Sequence, residues 1–337
     1  MRMRRLLDSV RSAREILLTT HQAPDGDGIG SELGLMFVLE SLAVRVHPFI
    51  DGEVPDRLRH LPGAQRLRNW AKLAPAEQQV ILAAGELGLV VDTHDWSLAG
   101  PLGEALRTAG FPTLFLDHHP PAAPGRPEVF SDPQASSTGE LAWRLARELA
   151  PQISREAATC FYAAIAYDTN SFKYLRGRAA AHRAAADLID AGADAEAVYR
   201  HLFASRPPGK LALLARVLEG IERADEGRIA WLLIRREWIS SGQLCRDDLR
   251  DLVTSLLEID GVEVAFTLQE EEGPSLKLSL RSMGRVAVNG IARSLGGGGH
   301  LYAAAAQLTA TPEEAVRQLL ALIRAQQGEG PAPSAGA

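Results

Sequence analysis

Short apolar runs that stop abruptly at acidic residues recur along the first part of the chain. Ile16-Leu17-Leu18-Thr19-Thr20 leads into His21-Gln22-Ala23-Pro24-Asp25-Gly26-Asp27-Gly28-Ile29-Gly30-Ser31. Leu87-Gly88-Leu89-Val90-Val91 ends at Asp92-Thr93-His94-Asp95, and Thr113-Leu114-Phe115-Leu116 ends at Asp117-His118-His119. Continuous apolar runs of this length, bounded by turn residues, predict buried strands, and residues 44–50 read as another. Between them lie helical patterns at 1–14 (with Leu6, Leu7 and Val10 on one face), 33–42 and 101–110. Strands alternating with helices predict right-handed crossovers and an α/β domain with a parallel sheet. The carboxyl ends of such strands share one edge, where open α/β sheets bind ligands. Positions 21–27, 92 and 117–119 are therefore expected to face one crevice.

Further along, 137–149, 154–167, 178–191 and 195–203 read as helices. Asp168 ends the second of these, and spacing alone puts it in solvent. His47, His60, His182 and His201 have no acidic constellation near them in sequence and read as packing or surface residues. Arg206-Pro207-Pro208-Gly209 is the strongest boundary signal, with 211–221 as a connecting helix. Beyond it, 229–234, 262–269 and 276–280 alternate as strands, followed by a helix at 286–295, the run Gly296-Gly297-Gly298-Gly299-His300 and a last helix from Pro312. The expected domains are 1–205 (α/β), a helical linker 206–222, a smaller α+β domain 223–325 and a disordered tail 326–337.

With 337 residues, two domains are the natural division. A net charge of −6 argues against a broad surface for duplex nucleic acid, whose affinity rests on phosphate contacts. The two cysteines, Cys160 and Cys245, form neither a disulfide framework nor a metal pattern, which fits a reducing cytoplasm. No stretch approaches the roughly 20 apolar residues of a membrane helix, and the basic start is too interrupted for a signal peptide.

The segment from His21 to Ser31 has two chemical readings. Pro-Asp-Gly-Asp-Gly is good turn chemistry and needs no ligand. His21, Asp25 and Asp27 drawn together by glycine turns would suit a divalent cation such as Mn2+, for which imidazole and carboxylate are both acceptable. The later spaced acids of a calcium-binding EF-hand loop are missing. The glycine run likewise reads either as a linker or as a phosphate cradle, with Arg281 as the clamp because guanidinium matches phosphate bidentately.

Taken together, His21-x-x-x-Asp25-x-Asp27-Gly-Ile-Gly-Ser, Val91-Asp92-Thr93, Asp117-His118-His119 and Asp168-Thr169 resemble, in order, the four motifs of the DHH phosphoesterase superfamily. Arg281 with Gly296–His300 resembles the DHH-associated domain. Within the superfamily the chain most resembles the NrnA-type nano-RNases/pAp phosphatases, whose segment at 54–63 is also similar. The resemblance implies two Mn2+ ions (Mg2+ or Co2+ as substitutes). His21 and Asp25 would hold one; Asp27, His118 and Asp168 would hold the other; Asp92 would bridge both. This moves Asp168 from solvent to the site. His119 would contact the scissile phosphate and Asp117 would orient a histidine. Arg281, Gly297, Gly298, Gly299 and His300 would bind the substrate's phosphate or terminus across the interdomain cleft. The implied reaction is in-line attack by a hydroxide shared between the ions, on short oligonucleotides or on 3′-phosphoadenosine 5′-phosphate (pAp). A homodimer is the candidate assembly. A phosphodiesterase for cyclic or linear dinucleotides is the alternative, and a non-catalytic nucleotide sensor a third reading. Three positions depart from the family pattern: Ala305 and Asn170 stand where glycine is common, and the asparagine common after the paired histidines is absent from Pro120-Pro121-Ala122-Ala123. These departures bear on substrate preference rather than on the ligand set.

Overall fold

A computed structural model describes residues 3–119, 128–175, 178–205, 208–240 and 252–328. The chain divides into two compact units, Met1–Ser205 and Arg206–Ala337. Arg206 and Pro207 themselves, the residues 120–123 and the tail from 329 lie outside the described residues.

In the first unit the elements run α1 (Met3–Ser12), β1 (Glu15–Thr19), α2 (Gly26–Ser41), β2 (Arg45–Ile50), β3 (Arg68–Asn69), α3 (Pro75–Ala84), β4 (Leu87–Val91), α4 (Gly100–Thr108), β5 (Thr113–Asp117), β6 (Glu128–Ser131), α5 (Thr138–Leu149), α6 (Arg155–Asp168), α7 (Ala179–Asp190) and α8 (Ala195–Phe203). The strands form one sheet in the order β3-β2-β1-β4-β5-β6, every neighbouring pair parallel. Alternate residues of the apolar runs point to opposite faces. Ile16, Leu18, Leu89, Val91, Leu114 and Leu116 join the core that includes residues of α1, α2, α5 and α6, while Leu17, Val90 and Phe115 join the core with Ile81 of α3 and Leu102 and Leu106 of α4. Burial on both faces explains why these strands read as continuous rather than alternating apolar runs. The chain leaves β1 in one direction and returns to β4 on its other side, so the sheet reverses its winding between β1 and β4. That switch point opens a crevice beyond the strands' carboxyl ends.

One expectation about the first segment is corrected. Helix α2 begins at Gly26, so Asp27 to Ser31 are helical rather than part of a loop, and Asp25 is the N-cap, accepting from the N–H groups of Asp27 and Gly28. Its glycines serve close packing rather than turning. A methyl on Gly26 would sit 2.3 Å from the Tyr167 ring, one on Gly30 2.6 Å from the Cys160 carbonyl oxygen, and one on Gly34 2.4 Å from the Phe161 ring. Spaced four apart, the three form a stripe along which α2 presses onto α6. His47 is also corrected: it does have an acidic partner, since its Nε2 lies 2.7 Å from Glu15 Oε1 on the adjoining strand. His60 shares a hydrogen bond with the Arg57 carbonyl through Nδ1 and stacks on His201.

The second unit contains α9 (Pro208–Leu218), β7 (Glu222–Ala224), β8 (Ile229–Ile234), α10 (Arg236–Ser240), α11 (residues 252–256), β9 (Val264–Glu270), β10 (Ser275–Ser282), α12 (Val288–Ser294), β11 (Gly298–His300), β12 (Ala303–Thr309) and α13 (Pro312–Gly328). Its sheet has the order β11-β12-β10-β9-β8-β7, with β8 and β9 parallel and the other pairs antiparallel. Leu214 and Val217 of α9 are buried against Ala230, Leu232 and Leu256, so this helix is part of the second unit's core. Helix α13 carries regular structure through Gly328, so the first three residues of the expected disordered tail, 326–328, are helical.

Candidate metal centre

The three strand ends and the end of α6 converge. Immediately after β1, His21 turns its Nδ1 toward the Gln22 carbonyl oxygen at 2.8 Å. That contact makes Nδ1–H the donor, which leaves Nε2 as the nitrogen whose lone pair a cation would take once its proton is displaced. Nε2 lies 3.9 Å from Asp25 Oδ1 and 3.5 Å from Asp92 Oδ2. Asp92 follows β4 with φ 63°, a left-handed conformation uncommon for a residue with a side chain. Its other oxygen, Oδ1, lies 3.9 Å from His118 Nε2. The same His118 Nε2 is 3.7 Å from Asp27 Oδ2 and 3.6 Å from Asp168 Oδ2. Asp168 therefore joins the group instead of facing bulk water. The ligand atoms fall into the sets His21/Asp25/Asp92, Asp27/His118/Asp168 and Asp92/His118/His119, with Asp92 and His118 each shared.

This is an electrostatically costly arrangement as it stands. Burial, followed by the repulsion of Asp92, Asp168 and Asp25, pushes the Asp27 carboxyl well above its ordinary range. Burial likewise raises Asp92, against the pull of His21. For His21, burial opposes the charged form, but hydrogen bonding to Asp25 and Asp92 outweighs it and lifts the imidazole to about 11. Carboxylates crowded in a buried site call for positive charge, and the donors are oxygens and imidazole nitrogens with no thiolate among them. That set fits hard to borderline divalent cations.

Asp117, fully buried, holds two histidines. Its Oδ1 accepts from the His119 backbone N–H at 3.2 Å and lies 2.8 Å from His119 Nδ1, while Oδ2 bonds His94 Nδ1. Burial works against a charged Asp117, but these bonds overcome it and hold the carboxyl well below the usual range. His119 in turn is lifted to about 9, burial being outweighed by Asp117. His119 Nδ1 comes within 4.0 Å of Asp92, but it is already committed to Asp117, so this nitrogen is a poor cation ligand.

Three contacts are invisible at the level of motifs. The N–H groups of Thr138 and Gly139, at the start of α5, donate to the two oxygens of Asp27 at 2.7 and 2.8 Å. Thr138 Oγ1 donates to Asp92 Oδ1 at 2.9 Å. His94, two residues beyond Asp92, is bonded to Asp117. The only advance sign of the first two was the helix expected over 137–149, with no pointer to which carboxylate its start would face.

In the second unit the first two glycines of the run end a helix. Gly296 has φ 77°, its N–H donates to the Arg293 carbonyl at 3.0 Å, and the Gly297 N–H donates to the Ala292 carbonyl at 2.8 Å. This pair closes α12 as a Schellman motif, so the Gly297 N–H is spent within the fold. A methyl on Gly297 would lie 2.1 Å from the Ala305 carbonyl oxygen, whereas one on Gly298 would meet nothing within 4 Å. His300 on β11 and Arg281 on β10 are both in register with Ala303 on the strand between them. Arg281 Nη1 donates to the Leu280 carbonyl at 2.9 Å. Asn170, in a position where glycine is common, has φ 50°, which asparagine tolerates better than most residues.

Residues 15–165 match the model of the DHH family, N-terminal domain, and residues 239–329 match the DHHA1 domain. The chain is similar to the bifunctional oligoribonuclease and PAP phosphatase NrnA of Thermus thermophilus, 30% identical over 331 residues, covering 95% of this chain and 93% of that protein. It is also similar to the cyclic-di-AMP phosphodiesterase GdpP of Geobacillus thermodenitrificans, 32% identical over 93% of this chain. There, however, the chain spans about half of the relative's length, 48%. The crystal structure of an exopolyphosphatase-related protein from Bacteroides fragilis superposes with a TM-score of 0.86 at 25% identity, covering 97% of this chain and 96% of that one. The acid-ended strands and their shared crevice are thus those of a known architecture, and the chain belongs to the DHH family of phosphoesterases, with a DHHA1 domain in its second unit.

Proposed function

We propose that the chain is a hydrolase of phosphoesters in short oligonucleotides and in pAp, working with two divalent cations, Mn2+ foremost. The carrying observation is that one carboxylate, Asp92, presents its two oxygens to different donor sets, Oδ2 toward His21 and Oδ1 toward His118. In this reading His21 and Asp25 hold one cation, Asp27, His118 and Asp168 the other, and Asp92 both. Bound there, the cations supply Lewis acidity that acidifies a water and neutralises charge on the phosphoryl oxygens. The chain's own residues do the rest. His119, its Nδ1–H given to Asp117, is fixed to offer its remaining ring nitrogen to a phosphoryl oxygen. Arg281 and His300, in register across β12, supply a cationic and a polar group for the far phosphate or terminus of the substrate, with Gly298, whose Cβ position meets nothing within 4 Å, leaving room for it, and with the neighbouring backbone of Gly297 and Gly299 completing that wall. The absence of helices long and apolar enough to span a membrane among the described residues and the cysteine pattern support action in the cytoplasm.

The match to NrnA over nearly all of that protein's length favours oligonucleotides and pAp. The identity to GdpP across most of this chain supports a second reading, hydrolysis of cyclic or linear dinucleotides such as c-di-AMP or pApA. Turnover of pAp, di- to pentanucleotides and c-di-AMP, compared side by side with Mn2+, tests both. Faster turnover of c-di-AMP than of pAp and dinucleotides would transfer the assignment to the second reading. No hydrolysis of any of them would remove it altogether.

A further inference from the structure

A carboxylate that serves two cations has to be prevented from turning edge-on to chelate only one. The terminal torsion of aspartate is broad and intrinsically soft, so the orientation of Asp92 has to come from its surroundings. His21 cannot fix it while acting as a ligand, because the Nε2 that faces Asp92 Oδ2 must then give its lone pair to a cation. The Thr138 hydroxyl has no such conflict. It is neutral, fully buried, and donates to Asp92 Oδ1 at 2.9 Å. Its backbone is equally fixed. The N–H groups of Thr138 and Gly139 grip Asp27, Ser137 Oγ accepts from the Glu140 N–H at 3.1 Å, and Glu140 Oε2 accepts from the Ser136 N–H and hydroxyl at 2.9 Å each. Gly139 lets this helix start approach α6, since a methyl there would sit 2.4 Å from Ala164 Cβ.

We propose that Thr138 is a positioning residue whose hydroxyl locks the rotation of the Asp92 carboxylate, keeping Oδ2 toward the His21–Asp25 set and Oδ1 toward His118, so that a single side chain serves both cations. This rests on the two-cation reading of the site. The start of α5 thereby sets the relation between the two halves of the centre: its N–H groups fix Asp27 and its first side chain fixes Asp92.

Calorimetric titration of the metal-free full chain with Mn2+, alongside steady-state turnover of pAp, tests this on Thr138→Val and Thr138→Ser. The wild type binds two Mn2+ per chain. Thr138→Val, the same shape without the donor, keeps one and weakens the other by about tenfold or more, the range typical of groups that orient metal ligands. Its turnover falls in kcat rather than in KM and recovers as Mn2+ is raised. Thr138→Ser restores both ions and kcat. Two Mn2+ bound by Thr138→Val with wild-type affinities would overturn the proposal. So would a Thr138→Ser variant that loses the second ion, a result that holds even if Thr138→Val does not fold. A wild type that binds fewer than two Mn2+ overturns the two-cation reading itself, before any substitution is compared.

Discussion

The two units use glycine and charge in opposite ways. In the first, Gly26, Gly30 and Gly34 are helical and serve to bring α2 against α6, which sinks Asp27 into a buried cluster of carboxylates and imidazoles. In the second, Gly296 and Gly297 stop a helix, and Gly299 takes φ 132° on a short strand, its Cβ position closed off by Ala303 and Ala304 of β12. The first unit thus concentrates side-chain donors in a site whose own electrostatics oppose it. The second offers backbone relief and one register-matched pair, Arg281 and His300. The lesson is that the same residue type marks chemistry in one place and chain geometry in the other, and only the neighbouring atoms distinguish the two.

The widest separation between the units is expected in turnover. Asp27→Ala or Asp92→Asn lowers hydrolysis at least a thousandfold, about 4 kcal/mol in the barrier, while in the metal-free protein Asp92→Asn, which removes one of the crowded carboxylates and keeps an acceptor for Thr138, leaves thermal stability unchanged or raised. Steady-state kinetics with thermal denaturation checks both halves; retained turnover would dissolve the contrast. Arg281→Ala or His300→Ala is expected to cost roughly ten- to a hundredfold in kcat/KM, as for a lost charge-assisted hydrogen bond of about 1.5–3 kcal/mol, with the Mn2+ stoichiometry of the first unit untouched. Unchanged kinetics in both variants would take the second unit out of substrate capture.

A pH series sharpens the electrostatic side. With its imidazole raised to about 11, His21 is protonated through neutral pH when no cation is present, and a cation has to displace that proton. Apparent Mn2+ affinity should therefore rise with pH, by about tenfold per unit for one proton released, as measured by titration at pH 6, 7 and 8. In the metal-free protein the sign is reversed. A raised imidazole stabilises the fold fully below its unfolded value near 6.5, and that contribution is lost as pH climbs toward 11.

The smallest effects on turnover come from the glycines. Gly297→Ala, with its methyl 2.1 Å from the Ala305 carbonyl oxygen, should destabilise the fold by roughly 1–3 kcal/mol, as overpacking does. Gly298→Ala, facing open space, should leave the melting temperature unchanged. Equal losses in the two variants would mean the run acts as one structural block.

Local sequence carried a good deal of this. The runs 16–20, 87–91 and 113–116 announce buried strands because burial on both faces leaves no polar alternation, and an acid at the end of each run announces the edge where they meet. The strands β3 and β6 went unread: one has two residues and the other only half-buried positions, so neither has an apolar run to detect. Asp168 shows the limit of spacing, for a residue at a helix end reads the same whether it meets water or His118, and it was the family resemblance that placed it.

What the sequence determined by itself is the set of donors and the sheet edge that gathers them, because strand burial and strand-to-loop boundaries are decided over a few residues. What only the tertiary structure decided is how those donors are held. Asp27 meets N–H groups more than a hundred positions away, Asp92 meets a hydroxyl at Thr138, and Asp117 divides itself between His119 and His94. Hydrogen bonds of this reach depend on how closely α5 settles against α2 and α6, and that distance is set by the packing of whole helices, which no local pattern encodes.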